Sequence, residues 1–260
     1  MSKFLDVSEW QGVIDWETVK PNVAGVILRA GWGNGNPDRQ FHRNASECNR
    51  LGIPCGAYWF SYALTPQQAR NEAKSLLAAV APFTMELPLA FDYEYDSVKT
   101  AERNGITVDK KLATSLVYAF CKTIEQGGYW CLNYSNPDFL SRYFAEDVPQ
   151  RFGLWLAQWP GGVPDLTKPP RSDAVLWQWT SKGRTPGINT DVDTNEAFVD
   201  FAKLIRDNGL NHLKETETPK QSAMEWAKAR GYIPQDAQPT QPVTWYDVAQ
   251  VIASIHGPII

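Results

Sequence analysis

The sequence predicts an irregular α/β barrel followed by a small helical module. From residue 4 to about residue 205, short β-rich runs alternate with longer helical patterns, a rhythm typical of parallel strands that are covered by helices. After residue 150 the strand patterns follow one another without intervening helices, so a regular eightfold barrel is not expected. The length of 260 residues, 43% of them hydrophobic, is sufficient for one barrel and a short additional unit.

The strands are predicted from runs of β-branched and aromatic residues bounded by turn residues. They cover residues 3–8, 23–30, 55–62, 87–94, 129–135, 153–159, 174–180 and 190–193. Helical patterns fill most of the intervals between the first five strands. A helix at 65–81 is predicted because Thr65 precedes Pro66 at a plausible first helical position, and a helix at 109–128 begins at an Asp cap and ends at a Gly pair. A further helix is predicted at 195–209.

The chain is predicted to divide at a polar segment near its C-terminal end. Residues 210–221 are mainly polar or charged and predict a linker. Residues 1–209 would then form the barrel, and residues 222–260 a small module with two short amphipathic helices on either side of a loop rich in Pro and Gln. A unit of this size has a small core and usually needs a partner surface for stability.

Composition argues against several classes of protein. The net charge is −4 and no basic stripe interleaves with aromatic residues, so a nucleic-acid partner is not expected. No apolar run approaches 18 residues, which argues against membrane insertion. The first residues contain no charged and apolar segments of a signal peptide, so synthesis in the cytoplasm is expected. Four cysteines without Cys-x-x-Cys spacing predict buried free thiols, and three scattered histidines predict neither a metal site nor a cofactor.

The segment LPLAFDYEYD, residues 87–96, ends a predicted buried strand with acids at alternate positions. In a strand, Asp92 and Glu94 would share the face that points into the barrel, while Phe91 and Tyr93 would pack under the helices. Catalytic groups of such barrels gather at the C-terminal ends of the strands. Two close carboxyls raise the pKa of the less solvated one, as a general acid for glycosidic cleavage requires. The alternative is that acids at a strand end meet solvent or bind Lys and Arg.

Further acids lie at the ends of the first and last predicted strands. Asp6 ends the first strand, and Asp191 and Asp193 end the last. Because the first and last strands of a closed barrel are neighbours, these acids are expected to converge with Asp92 and Glu94 at one mouth.

Tryptophan is unusually frequent near the same strand ends. The chain has 11 Trp residues. Flat aromatic faces beside carboxylates suit pyranose rings, although a Trp-rich core is the alternative for any one of them. The residues at or next to predicted strand ends are Trp10, Trp32, Trp59, Trp155, Trp159, Trp177 and Trp179.

These motifs together resemble the glycoside hydrolase family 25 lysozymes, the N-acetylmuramidases of phages and bacteria. The resemblance covers about residues 3–205, in the order LDVSEWQGVIDWETVK, VILRAG, GIPCGAYWFSY, LPLAFDYEYD, LWLAQW, LWQWTSKGRTPGI and DVDTNEAF. It implies a flattened, TIM-like (β/α)5(β)3 barrel. It also implies hydrolysis of the β-1,4 bond between N-acetylmuramic acid and N-acetylglucosamine in peptidoglycan, leading to cell lysis.

The resemblance also implies roles for individual residues. Glu94 takes the role of general acid, and Asp92 that of its partner, which orients or stabilises the acetamido group of the substrate if the reaction is substrate-assisted. Asp6 and Asp193 match the other two acids of the family pattern, Asp193 being preferred to Asp191. Residues in the blocks that line the family's groove are Arg29, Tyr58, Tyr134, Trp155 and Gln178.

The match departs from the family pattern at two places. The usual KATEG block is RAGWG here, at residues 29–33, which removes a Glu and changes the local substrate contacts. The usual YHF is YWF, at residues 58–60, so no catalytic histidine is expected there.

Residues 222–260 resemble, weakly, a single S-layer homology unit. Attachment to a secondary cell-wall polymer, self-association and a simple capping appendage are therefore the alternative expectations for this module.

Three functions are consistent with these patterns. The first is a phage or prophage endolysin that is made in the host cytoplasm and reaches the wall through a holin pore. The second is a non-catalytic peptidoglycan-binding module on the same barrel, which the clustered acids disfavour. The third is a chitinase-like barrel, which would need a longer run of acids than the one at Asp92.

Overall fold

The computed structural model describes residues 3–213, Lys228 and residues 235–236. The chain divides into two compact units, Met1–Lys214 and Glu215–Ile260. The first unit contains the barrel. The predicted helical module at 222–260 lies outside the described residues, except for Lys228 in a helix and a turn at residues 235–236.

The first unit is built around one closed sheet. Its strands are β1 Lys3–Val7, β2 Gly25–Trp32, β3 Asn36–Pro37, β4 Cys55–Phe60, β5 Leu89–Asp92, β6 Cys131–Ser135, β7 Leu154–Ala157, β8 Ala174–Gly183 and β9 Val192–Ala197. The order is β1-β9-β8-β7-β6-β5-β4-β2-β3, and a pairing of β1 with β2 closes the ring. Pairing is parallel between β1, β2, β4, β5, β6, β7 and β8, whereas the short β3 is antiparallel to β2 and β9 is antiparallel to both of its neighbours. The predicted irregular α/β barrel is thus confirmed.

Helices cover the outside of the barrel. They are α1 Trp16–Val19, α2 Phe41–Leu51, α3 Pro66–Val80, α4 Tyr95–Arg103, α5 Lys110–Gln126, α6 Pro137–Tyr143, α7 Val148–Phe152 and α8 Phe201–Asp207. The predicted starts of α3 and α5 are confirmed, because the side chains of Thr65 and Asp109 accept hydrogen bonds from backbone N–H groups in the first turns. No described helix combines the length and the apolar character needed to cross a membrane.

The core has two layers that follow the alternation of the strands. Inside the barrel, one cluster includes Phe4, Ala90 and Leu176. Between the sheet and the helices, a larger cluster includes Leu89 and Phe91, the neighbours of Ala90 on the opposite face of β5. All four cysteines are buried and free.

Two predicted boundaries were wrong. The helix predicted at 195–209 is only α8, because residues 195–197 continue β9, where the backbone of Asn195 pairs with both β1 and β8. The linker was predicted from residue 210, but residues 210–213 are part of the barrel unit. The Asn211 side chain donates hydrogen bonds of 2.9 Å to the carbonyls of Met85 and Leu87.

Candidate active site

A pocket of about 720 Å³ opens at the C-terminal ends of the parallel strands. Its position follows from the topology, because parallel strands bring the residues at their carboxyl ends to the same rim. All nine predicted site residues line the pocket: Asp6, Arg29, Tyr58, Asp92, Glu94, Tyr134, Trp155, Gln178 and Asp193.

Asp92 and Glu94 form the first carboxyl pair of the pocket. Asp92 is the last residue of β5 and only 5% exposed, whereas Glu94 is half-buried and caps the N-terminus of α4 instead of extending the strand. The two carboxyls are hydrogen-bonded. Burial, reinforced by the charge of Glu94, raises the pKa of Asp92 well above its ordinary value. Burial also raises the pKa of Glu94, while the hydrogen bond from Asp92 lowers it.

Asp6 and Asp193 form a second pair on the other side of the barrel. They face each other across the pairing of β1 with β9, which were expected to be neighbours as the first and last strands of a closed barrel. The prediction that Asp193 ends the last strand was wrong, because β9 runs antiparallel to β1 and Asp193 lies near its start. Burial, then the charge of Asp193, raises the pKa of Asp6 well above its ordinary value. Burial raises the pKa of Asp193, and its hydrogen bond with Asp6 lowers it. In each pair, therefore, burial favours the protonated form of the more buried aspartate, which lies beside a more exposed partner.

Asn195 holds Asp6 in place and was missed in the sequence. Its Nδ2 donates to Oδ2 of Asp6 at 2.8 Å, and its Oδ1 accepts from Nε1 of Trp155 at 2.7 Å. Gln178 also holds Asp6, because its Nε2 donates a hydrogen bond to Oδ2 of Asp6 at 3.1 Å. The missed signal was the alternation in β9, which places Asn195 two residues after Asp193 on the interior face.

An aromatic rim surrounds the acids. Trp10 is 74% exposed and Trp159 is 58% exposed, although both line the pocket. Nε1 of Trp159 donates to Oε1 of Gln178 at 3.3 Å, and the hydroxyl of Tyr134 donates to the same oxygen at 3.2 Å. Deeper in the pocket, Tyr58 packs edge-on against the ring of Trp155, with the ring centroids 5.9 Å apart.

Arg29 lines the pocket, but its guanidinium is held by acids of the protein. Nε lies 2.8 Å from Asp38, which is buried, and Nη2 lies 3.0 Å from Glu9. The pair with Glu9 joins the segment after β1 to β2, and the pair with Asp38 joins the segment after β3 to β2. Asp191, the alternative to Asp193, is exposed and pairs with Arg184 instead of lining the pocket.

Comparison with known proteins assigns this arrangement to a family. The family model "Glycosyl hydrolases family 25" matches residues 5–188, which carry all of the pocket acids except Asp193. The chain belongs to glycosyl hydrolases family 25. As a family 25 protein it is a glycoside hydrolase, and the resemblance inferred from its motifs is confirmed.

Individual relatives agree with the family 25 assignment. Lysozyme M1 of Streptomyces globisporus is 25% identical over 222 residues, which cover 77% of this chain and 69% of that lysozyme. The modular autolysin LytC of Streptococcus pneumoniae is similar in structure, with a TM-score of 0.64 and 28% identity over 75% of this chain, but the match spans only 46% of LytC. The catalytic domain of endolysin ply40, from bacteriophage P40 of Listeria monocytogenes, has a TM-score of 0.58 and 25% identity, covering 79% of this chain and 97% of that domain.

Proposed function

We propose that Glu94 and Asp92 form the catalytic pair with which this family 25 enzyme, a lysozyme, hydrolyses peptidoglycan. The bond that is cleaved is the β-1,4 linkage between N-acetylmuramic acid and N-acetylglucosamine. The observation that carries the proposal is a hydrogen-bonded carboxyl pair with raised pKa values, at the mouth of a barrel whose rim is aromatic.

Glu94 is the member of the pair that delivers the proton. It is the more exposed of the two and stands at the N-terminus of α4, facing the pocket. As the bond between C1 and the glycosidic oxygen breaks, the proton of Glu94 passes to the leaving oxygen of the N-acetylglucosamine residue. Water then adds to C1 and returns a proton to the Glu94 carboxylate, which completes the hydrolysis.

Asp92 supports Glu94 through the hydrogen bond between their carboxyls. Its Oδ1 is buried and accepts no N–H or hydroxyl from the described residues, so the proton shared with Glu94 is what neutralises this carboxyl. When Glu94 gives up its proton, that shared proton stabilises the new negative charge. In a substrate-assisted reaction the same carboxyl orients the acetamido group of the muramic acid.

The remaining pocket residues bind and position the sugar. Asp6 and Asp193 place negative charge opposite the Asp92 pair, where positive charge develops on the sugar ring in the transition state. The floor of the pocket is formed by Tyr58, Tyr134, Trp155 and Gln178. Arg29 holds the segment after β1 in place through its ion pair with Glu9 and also pairs with Asp38. The exposed Trp10 and Trp159 provide flat surfaces for neighbouring sugars.

The two parts of the chain have different roles in this proposal. The barrel unit carries out catalysis, and residues 222–260 act as a module that binds a secondary cell-wall polymer or another copy of the chain. Likeness to the catalytic domain of endolysin ply40 supports a phage or prophage lysin. In this proposal the lysin is made in the host cytoplasm and released at lysis through a holin.

The test compares Glu94→Gln with Glu102→Gln, which makes the same change at an exposed position of α4. The unmodified protein and Glu102→Gln should clear purified peptidoglycan and create reducing ends on muramic acid, and Glu94→Gln should lose at least about a hundredfold in turnover. Reducing ends on glucosamine, or full activity of Glu94→Gln, would contradict the proposal. Binding to the wall without release of soluble fragments would favour a non-catalytic binding module.

A further inference from the structure

A buried glutamate that does not line the pocket is hydrogen-bonded to the turn that follows β4. Glu72 lies on α3 and is only 3% exposed. Its Oε2 accepts a hydrogen bond from the hydroxyl of Ser61 at 2.5 Å, and its Oε1 accepts one from the backbone N–H of Tyr62 at 3.1 Å. Both donors belong to the turn that follows β4, so the carboxyl of Glu72 fixes the conformation of that turn.

The same turn is connected by hydrogen bonds to the backbone of both catalytic residues, Asp92 and Glu94. The N–H of Ser61 donates to the carbonyl of Asp92 at 2.7 Å. The carbonyl of Ser61 accepts from the hydroxyl of Ser97 at 2.7 Å, and that hydroxyl accepts from the N–H of Glu94 at 3.1 Å. Ser61 and Ser97 are completely buried, so water does not compete for these bonds.

A second connection runs from the turn to the first turn of α4. The hydroxyl of Tyr62 donates to Oδ2 of Asp96 at 2.6 Å, while the backbone N–H of Tyr62 is held by Glu72. Glu94 caps this helix, so its position follows that of the helix N-terminus. The aromatic rim formed by Trp10 and Trp159 has no part in either connection.

We propose that Glu72 is a positioning residue for the catalytic pair, acting through Ser61 and Ser97 on the backbone of Asp92 and Glu94. The inference rests on the proposed role of Glu94 as the acid. Proton transfer to a glycosidic oxygen needs hydrogen-bond geometry, and a displacement of about 1 Å reduces turnover by up to about a hundredfold. Loss of the hydrogen bonds made by the Glu72 side chain therefore lowers kcat and leaves KM unchanged, because the groups that bind the glycan stay in place.

The first experiment separates geometry from charge at position 72. Glu72→Gln keeps the length of the side chain, so its amide can bond to both Tyr62 N–H and the Ser61 hydroxyl, and kcat should stay within about threefold of the unmodified enzyme. Glu72→Asp keeps the charge but is one methylene shorter, and kcat should fall about tenfold. Glu72→Ala should lower kcat by about ten- to hundredfold. KM for soluble, uncrosslinked glycan strands should change less than about twofold in all three variants.

The matched control is Asn44→Ala on α2. Asn44 is 1% exposed and accepts a hydrogen bond from Nε1 of Trp16 at 3.1 Å, so this variant also removes a buried polar group from the helical layer. It has no connection to the turn after β4, and its kcat should be unchanged. Amide exchange at residues 92–97 should become faster in Glu72→Asp and Glu72→Ala only.

A double-mutant cycle tests the route through Ser97. If Glu72 acts through this hydroxyl, Ser97→Ala alone lowers kcat, and the loss in Glu72→Asp with Ser97→Ala is smaller than the product of the two single losses. Independent effects in the cycle, an unchanged kcat in Glu72→Asp, or an equal loss in Asn44→Ala would overturn the inference while leaving the proposed function intact. An unmodified protein that releases no muramic acid reducing ends would overturn the proposed function, and the inference with it.

Discussion

Glu72 is expected to make the stability of the barrel fall as the pH rises towards neutrality. Burial raises the pKa of its carboxyl from 4.5 to about 7, against the opposing hydrogen bonds from Ser61 and Tyr62. Below pH 4.5 the group is protonated in both the folded and the unfolded chain, and its contribution to stability is complete. Between pH 4.5 and 7 only the folded chain holds the proton, so stability decreases as the pH rises.

The size of the effect follows from the difference between the two pKa values. At about 1.36 kcal/mol for each pKa unit, a rise from 4.5 to about 7 corresponds to roughly 3 kcal/mol of unfolding free energy, lost between pH 4.5 and 8.5. This is a large part of the 5–15 kcal/mol that typically separates the folded from the unfolded state. Glu72→Gln has no proton to lose at this site, so its stability should not contain this decrease.

Urea unfolding at several values of pH measures the effect. The unfolding free energy of Glu72→Gln minus that of the unmodified protein should increase by roughly 3 kcal/mol from pH 4.5 to 8.5. The pocket acids are present in both proteins, so their contributions to the unfolding free energy cancel in this difference. Glu102→Gln changes the same charge at an exposed position and should show no such trend. A difference that is constant over this pH range would refute the reasoning.

Two further predictions concern the pocket. Asn195→Ala should lower the unfolding free energy by roughly 2–4 kcal/mol, measured by urea unfolding, because it removes a hydrogen bond to Asp6 and leaves the buried Nε1 of Trp155 without its acceptor. Equal stability of this variant and the unmodified protein would contradict the network. Trp159→Ala should raise KM for glycan strands about tenfold, or about 1.4 kcal/mol, at nearly constant kcat, because an exposed rim contact stabilises the bound substrate and the transition state alike. A fall in kcat at constant KM would instead place Trp159 in the chemical step.

Glu94 and Glu72 differ in how much of their environment is visible in the sequence. Glu94 follows a buried strand directly, and the alternation of LPLAFDYEYD was enough to predict it in the pocket beside Asp92. The alternation did not predict that the strand ends at Asp92 and that Glu94 caps a helix, because the end of a strand depends on which neighbours pair with it. Glu72 falls on the buried stripe of α3 together with Ala69, Ala73 and Leu76, a position where a carboxyl is unexpected and therefore informative.

Asn195 shows where local patterns point in the wrong direction. The run NEAFVDFAKLIRDNG has helical periodicity, and a helix was predicted from Asn195 onwards. In the structure the backbone of Asn195 lies between β1 and β8, and pairing on both sides outweighs the local preference. The side chain that reaches Asp6 is consequently a property of the closed sheet.

The sequence by itself determined the kind of barrel, the positions of most strands along the chain and the acids that meet in the pocket, because hydrophobic alternation, turn residues and cap residues are local patterns. It also determined the family, through seven motifs in a fixed order. Only the tertiary structure decided that Asp6 pairs with Asp193 across β1 and β9, that Arg29 is held by Glu9 and Asp38, and that Glu72 supports the turn after β4. These arrangements join residues from separate segments of the chain, and their burial, pKa values and hydrogen bonds exist only once the ring of strands has closed.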